Sequence, residues 1–175
     1  MSSSRGLRGS ALEELINISN EKYRAQGLAL MQKVPTPITP VEIDGQGHIT
    51  LAYFDQKSTI DYVGVVQGIP VCFDAKECAS ETSFPLANVH EHQMEFMRDF
   101  EKQDGVAFFL ICFTKLDRYY YCPYREMEKY WERAKDGGRK SVNLSEFTEG
   151  WEVCPKGVIP IHYLEALKSD LESRG

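Results

Sequence analysis

The sequence predicts a mixed α/β (α+β) fold in which helices flank a central mixed sheet, and three features carry this prediction. Residues 58–76 hold two β-branched runs separated by Gln67-Gly68, which is typical of a tight hairpin. Residues 105–113 are apolar throughout, as expected of a central strand covered on both faces. Elsewhere, apolar residues recur at helical spacing, so helices should cover the sheet.

The remaining elements follow from local signals in the chain. Ser10 with Glu13 fits a capping box, and Gly27 should end the helix that begins there near residue 26. Asn88, with Glu91 three residues on, is expected to cap a second helix. Further elements are expected as strands over 28–34 and 118–122 and helices over 126–135 and 161–171.

A second hairpin, which we term the stalk hairpin, is predicted over residues 41–54. Its tip at 44–48 should project as a short polar ribbon. The prolines at 35, 37 and 40 are expected to stop regular structure before it.

Length and composition set the class of protein. With 175 residues, the chain is expected to form one domain over 1–175, with 1–9 as a flexible arm. A net charge of −6 argues against bulk, charge-driven binding of nucleic acid but does not exclude a local basic patch. The five cysteines form no CxxC pair and are expected to be reduced. Since no signal peptide or long apolar span is present, we expect a soluble, cytoplasmic protein without membrane contact.

The first hairpin places two acids in an unfavourable position. If its two-residue turn is 67–68, Asp61 lies directly opposite Asp74, and Thr59 lies opposite Lys76. Like charges at opposed positions destabilise a sheet. A bound divalent cation would remove the conflict, because hard cations such as Mg²⁺ take carboxylate oxygens.

Gln93 is the polar head of an otherwise apolar helical stripe that continues through Phe96, Met97 and Phe100. A buried amide needs a partner, because burying it unpaired is costly. Considered alone, the residue is expected to bond a neighbouring backbone group. Beside the hairpin, a role at the metal is the better interpretation.

Asp61 followed by Asp74-Ala75-Lys76 on the next strand resembles the arrangement of restriction-endonuclease-like, PD-(D/E)xK nucleases. In such a site the two acids hold Mg²⁺, and the metal lowers the pKa of a bound water. Lys76 would orient that water or stabilise the transition state. Mn²⁺ is a candidate substitute for Mg²⁺.

Several motifs together resemble those of the RecU family of Holliday-junction resolvases, from about Arg5 to Tyr163. They are Lys33-Val34-Pro35-Thr36-Pro37-Ile38, Ala52-Tyr53-Phe54, Ser58-Thr59-Ile60-Asp61-Tyr62, Phe73-Asp74-Ala75-Lys76-Glu77, Thr82-Ser83-Phe84-Pro85-Leu86, His90-Glu91-His92-Gln93 and Gly138-Arg139-Lys140-Ser141.

The resemblance implies roles for five residues. Thr59, Asp61, Asp74 and Gln93 would hold the metal, and Lys76 would stabilise the transition state. It also implies a homodimer that makes symmetric, Mg²⁺-dependent nicks in four-way DNA junctions during recombination and repair. A recombinase would be a further partner.

Two departures from the family pattern leave alternatives open. Asp74 stands where the family usually carries Glu, and the stalk hairpin is shorter than the family's stalk. The alternatives are a restriction-like or repair nuclease with another DNA substrate, and a cleavage-impaired protein that binds junctions or modulates a recombinase.

Two pairs of basic residues are candidate DNA contacts. Arg5 and Arg8 lie in the expected arm; the alternative interpretation of this segment is a frayed tail without DNA contact. Arg139 and Lys140 lie in a glycine-containing turn. This turn either contacts DNA phosphates or is simply a solvent-facing helix end.

Overall fold

The computed structural model describes residues 10–55, 59–147 and 149–175. Its strands are β1 (Ala29–Lys33), β2 (Ile38–Ile43), β3 (Ile49–Phe54), β4 (Tyr62–Val66), β5 (Ile69–Cys78), β6 (Ser83–Pro85), β7 (Val106–Phe113), β8 (Arg118–Pro123) and β9 (Ser141–Asn143). Its helices are α1 (Ala11–Ala25), α2 (Glu91–Glu101), α3 (Tyr124–Lys135) and α4 (Leu164–Ser173), with single 3₁₀ turns at Leu86–Asn88, Leu144–Glu146 and Glu149–Trp151.

The central sheet has the strand order β1-β4-β5-β7-β8. Strands β5 and β7 are parallel, and the other neighbours are antiparallel. The connection from β5 to β7 contains α2 and lays it on one face of the sheet. The structure therefore confirms the predicted mixed sheet flanked by helices. That residues 1–175 form one nuclease domain stays a prediction.

Two hydrophobic cores lie on the two faces of this sheet. Helices α1 and α4 close the first core, where Ile16 and Leu167 pack with Phe108. Helices α2 and α3 close the second, where Met97 and Met127 pack with Phe109. Successive residues of β7 thus serve opposite cores, which explains why this buried strand is apolar throughout.

The hairpin of β4 and β5 has the predicted register, since Val66 pairs with Ile69 and Tyr62 with Phe73. Gln67 and Gly68 both have positive φ, at 48° and 85°, as a two-residue turn of this kind requires. The ladder ends at Tyr62, so Asp61 lies one residue beyond the paired strand.

The stalk hairpin is longer than predicted, because β2 already begins at Ile38. Pro40 was expected to stop regular structure, yet it lies inside β2 opposite Ala52, and the register shifts between Pro40 and Glu42. Both strands of a two-stranded ribbon are edge strands. An edge strand tolerates proline, because the missing N–H can fall on the side that faces solvent. The prolines at 35 and 37 precede the strand, as predicted.

Several predicted bounds are corrected by the structure. Helix α2 has His90 rather than Asn88 as its N-cap, because Asn88 belongs to a separate 3₁₀ turn. Helix α3 begins before the predicted residue 126, and α4 begins after the predicted residue 161. Residues 83–85, for which the sequence indicates no strand, pair with β9. Helix α1 matches its prediction, with the Ser10 side chain accepting the Glu13 N–H.

All five cysteines lie in the described residues, and none is in a disulfide. Within the described ranges, no helix has the length and apolar character needed to cross a membrane.

Candidate active site

Asp74 is the buried centre of the predicted site. Its side chain projects from β5 toward the α2 layer, and the residue is 1% exposed. Within the described ranges, no group donates a hydrogen bond to either carboxylate oxygen. The Lys76 Nζ lies 2.7 Å from Oδ2, an ion-pair distance whose alignment is not that of a hydrogen bond. The Lys76 ammonium offsets part of this charge, but a buried carboxylate whose oxygens accept no hydrogen bond still favours a further partner such as a cation.

Asp61 is fixed to the same strand by its own side chain. Its Oδ2 accepts the N–H of Ala75 at 2.8 Å, just past the end of the β4–β5 ladder. Burial, and then the charge of Asp74, raise the pKa of Asp61 to about 6. The Asp74 carboxylate is therefore close enough for its charge to disfavour ionisation of Asp61.

Lys76 and Gln93 complete the contacts around these acids. The Lys76 Nζ donates to Gln93 Oε1 at 3.0 Å, and the His90 N–H donates to the same oxygen at 3.2 Å. Gln93 is 6% exposed, so its amide is buried beside the lysine. The Gln93 amide oxygen therefore bonds both a neighbouring backbone group, as expected for the residue alone, and the lysine of the predicted site.

Thr59 lies in a half-buried bend two residues before Asp61, directly after the undescribed residues 56–58. The chain from Thr59 to Asp61 leaves the sheet, and Ile60 packs into the second core. The structure therefore brings Asp61, Asp74, Lys76 and Gln93 together by direct contacts and places Thr59 next to them in sequence.

The candidate ligand atoms for a cation at this site are all oxygens. They are the Asp74 and Asp61 carboxylates, the Gln93 amide oxygen and the Thr59 hydroxyl. Within residues 10–55, 59–147 and 149–175, no group of three or more His, Cys, Asp or Glu forms a metal-binding cluster. A cation here would need two carboxylates plus neutral oxygens, a set that suits hard ions such as Mg²⁺.

The candidate DNA-contacting residues divide into two cases. Arg5 and Arg8 lie outside the described residues. Arg139 and Lys140 are exposed in the turn between α3 and β9. The Lys140 carbonyl accepts the Leu86 N–H at 3.1 Å, which holds this basic turn against the segment that leads into α2.

Two contacts near the site were not predicted from the sequence. Glu77 Oε1 accepts the Leu12 N–H at 3.0 Å and ties the first turn of α1 to the strand of Asp74 and Lys76. The Val34 N–H donates to the Asp61 carbonyl at 2.7 Å and ties the base of the stalk hairpin to a catalytic candidate. Neither contact has a local sequence signal, because each joins elements distant in the chain.

A mixed sheet carrying two acids and a lysine at the end of one hairpin defines the class of restriction-endonuclease-like nucleases. Comparison with known proteins identifies the family within this class. The profile of the family RecU, "Recombination protein U", matches residues 7–169. This chain belongs to the RecU family.

Individual relatives agree with that assignment. Proteins named "Holliday junction resolvase RecU" from Pediococcus pentosaceus and Leuconostoc citreum are 41% and 42% identical to this chain. Each alignment covers 96% of this chain, and 86% and 83% of the respective relative. The protein of that name from Listeria welshimeri is 40% identical over 94% of this chain and 83% of its own length.

Proposed function

We propose that this protein is a Mg²⁺-dependent endodeoxyribonuclease, a phosphodiester hydrolase that resolves four-way (Holliday) DNA junctions in recombination and repair. The observation that carries the chemistry is the buried Asp74, whose oxygens receive no hydrogen bond within the described residues, beside Asp61 and Lys76. The substrate comes from the relatives, which are named Holliday junction resolvases. We also propose that the protein acts in the cytoplasm.

Asp61, Asp74, Gln93 and Thr59 would hold the cation. When bound, Mg²⁺ (or Mn²⁺) would acidify a water and offset the charge of the scissile phosphate. Oδ1 of Asp74 has no cation or hydrogen-bond donor to displace, whereas its Oδ2 faces the Lys76 ammonium at 2.7 Å and Oδ2 of Asp61 already accepts from Ala75. Asp61 therefore has Oδ1 left for a cation while Oδ2 keeps the carboxylate in place.

Lys76 would stabilise the negative charge that develops on the phosphate. Its ammonium is positioned on two sides, by Asp74 at 2.7 Å and by Gln93 at 3.0 Å. Gln93 is in turn held by the His90 backbone. A preorganised cation of this kind acts without reorganising in the transition state.

Cleavage assays on a synthetic four-way junction, a linear duplex and a single strand test the proposal. We expect paired nicks in the junction with Mg²⁺ and none with EDTA. Asp61→Ala and Lys76→Ala should each lower nicking by about 100-fold or more while junction binding stays nearly unchanged. Lys168→Ala, at an exposed position of α4, is the matched control and should cut normally.

Each alternative has its own outcome in these assays. Equal cutting of linear duplex would contradict junction resolution and favour a restriction-like or repair nuclease. Junction binding without cutting in Mg²⁺ or Mn²⁺ would favour the cleavage-impaired protein that the shorter acid at Asp74 allows. Loss of binding in parallel with nicking would mean that Asp61 and Lys76 are structural.

We also propose a homodimer as the active form, because two sites related by a two-fold axis suit a two-fold junction. The stalk hairpin supports an assembly with a partner, since it exposes Tyr53 and Phe54 by 56% and 73%. Sedimentation of the free protein and of its junction complex distinguishes a dimer from a monomer. The same experiment with a recombinase added tests that further partner.

A further inference from the structure

A cleft between α3 and the segment leading into α2 has no role in the proposed chemistry. Its volume is about 300 Å³. The floor and walls are apolar, and two lysines stand at the rim. The lining includes Leu86, Val89, Trp131, Ala134, Lys135 and Lys140.

Hydrogen bonds on both sides hold the walls of this cleft in place. On one side, the Leu86 N–H donates to the Lys140 carbonyl at 3.1 Å, and the Val89 N–H donates to the Leu86 carbonyl at 3.0 Å. On the other side, the Arg133 guanidinium donates to the Ser141 carbonyl at 2.9 Å. These bonds fix the turn that carries Lys140 relative to the helix that carries Trp131.

The cleft lies next to the candidate active site. Val89 lines it and directly precedes His90, whose N–H holds the Gln93 amide that contacts Lys76. Gln93 lies four positions after Val89, so their Cα atoms are at most about 14 Å apart. That distance corresponds to a few nucleotides along a DNA strand.

The charge at the rim selects the kind of ligand. Lys135 and Lys140 line this apolar cleft and are exposed, and Arg139 is exposed next to Lys140 in sequence, although the chain as a whole has a net charge of −6. The acid that faces Lys135 is Glu132, at 3.5 Å, and both side chains are about half exposed, so this pair holds the lysine weakly. Aromatic surface flanked by cations is how proteins bind single-stranded nucleotides, with bases on the ring and phosphates on the lysines.

We propose that this cleft binds an unpaired nucleotide of the DNA substrate close to the scissile phosphate, with its base against Trp131 and its phosphate at Lys135 and Lys140. The inference rests on the proposed function for the identity of the substrate. It adds a binding site for unstacked DNA, which a four-way junction supplies where its strands exchange.

Intrinsic fluorescence tests the base contact directly, because the chain has only two tryptophans, Trp131 and Trp151. Trp151→Phe leaves Trp131 as the single reporter. In EDTA, addition of a short single-stranded oligonucleotide should quench its emission saturably, and a four-way junction should do the same. An unchanged emission while the junction still binds in a gel-shift assay would overturn the proposal.

Charge removal tests the phosphate contact. Lys135→Ala/Lys140→Ala should weaken binding of the oligonucleotide by about tenfold or more and lower the salt slope by about one per lysine. Lys115→Ala/Lys168→Ala removes the same charge from exposed positions elsewhere and should change neither quantity. Equal effects of the two double variants would show general electrostatics and no cleft.

The outcomes separate this site from the proposed function. Quenching and a lysine effect without junction cleavage would keep the cleft and reject the nuclease. Normal junction cleavage without either effect would keep the nuclease and reject the cleft. Trp131→Phe, which retains a stacking ring, should bind more tightly than Trp131→Leu when both have the wild-type far-ultraviolet spectrum; equal binding would reject the base contact.

Discussion

At the scale of single residues, the two acids of the site lie in surroundings that offer them few hydrogen-bond donors. Burial and the neighbouring charge raise the pKa of Asp61 to about 6, and the oxygens of Asp74 receive no hydrogen bond within the described residues. Such unfavourable local arrangements concentrate at functional sites, where a ligand relieves them.

The raised pKa predicts how Asp61 affects the stability of the metal-free protein. Because the folded state binds the Asp61 proton more tightly than the unfolded state, this residue stabilises the fold at low pH, and the contribution is lost as pH rises from about 4 to 6. Asp61→Asn should therefore raise the free energy of unfolding at pH 7 by about 1–3 kcal/mol.

Urea denaturation in EDTA from pH 4.5 to 7.5 measures this effect. The difference in free energy between Asp61→Asn and the wild type should grow with pH across the window. Asp99→Asn, an exposed acid on α2 with a 73% exposed side chain, is the control and should follow the wild type. A constant difference at every pH would contradict the raised pKa.

At the scale of elements, α1 is joined to the active-site strand by one hydrogen bond at its first turn. Glu77 follows Lys76 in β5 and accepts the Leu12 N–H at 3.0 Å. The first N–H groups of a helix have no partner within the helix, so a carboxylate there also complements the helix dipole. The residue thus couples the α1 layer to the strand that carries Asp74 and Lys76.

Glu77→Ala should lower the free energy of unfolding by about 1–2 kcal/mol, because the Leu12 N–H loses its acceptor. Glu77→Gln keeps an acceptor oxygen and should retain most of the stability. Glu14→Ala, an exposed acid in the same first turn of α1, should change little. Thermal denaturation of the three variants measures these changes in stability. Equal losses of stability in Glu77→Ala and Glu14→Ala would contradict the coupling of α1 to β5.

At the scale of the whole molecule, the stalk hairpin projects from the sheet and contributes to neither described core. The sequence 38–54 exposes apolar side chains along both strands, yet its base is bonded to Asp61 through Val34. The fold should therefore tolerate loss of the hairpin, whereas recognition of DNA should not.

Replacement of residues 38–54 by a short Gly/Ser linker should leave the melting temperature within a few degrees of the wild type, because few buried contacts are lost. We expect this exposed ribbon to contact the DNA substrate, so the ratio of junction to duplex cleavage should fall by about tenfold when it is removed. Cleavage of both substrates, with melting curves of the same preparations, measures this. An unfolded variant or an unchanged ratio would each count against a separate recognition role.

Much of the fold and site followed from local patterns. The two-residue turn at Gln67-Gly68 set the hairpin register, because a β-strand repeats every two residues and one slip would reverse its faces. The pattern also placed Asp74 and Lys76 on the face covered by α2. The predictions from sequence are wrong where two local signals compete. Pro40 predicts the end of regular structure but lies in a two-stranded ribbon, and Asn88 predicts a helix cap but lies in a 3₁₀ turn.

The sequence by itself determined the family, the register and the residue types of the site, since these depend on neighbouring positions and on motif spacing. Only the tertiary structure decided that Asp61 accepts from Ala75, that Gln93 reaches Lys76 and that Lys140 and Trp131 line one cleft. These contacts depend on where the ladder ends and how α2 and α3 pack on the sheet. Packing of distant elements is a property of the whole chain, so no local pattern specifies it.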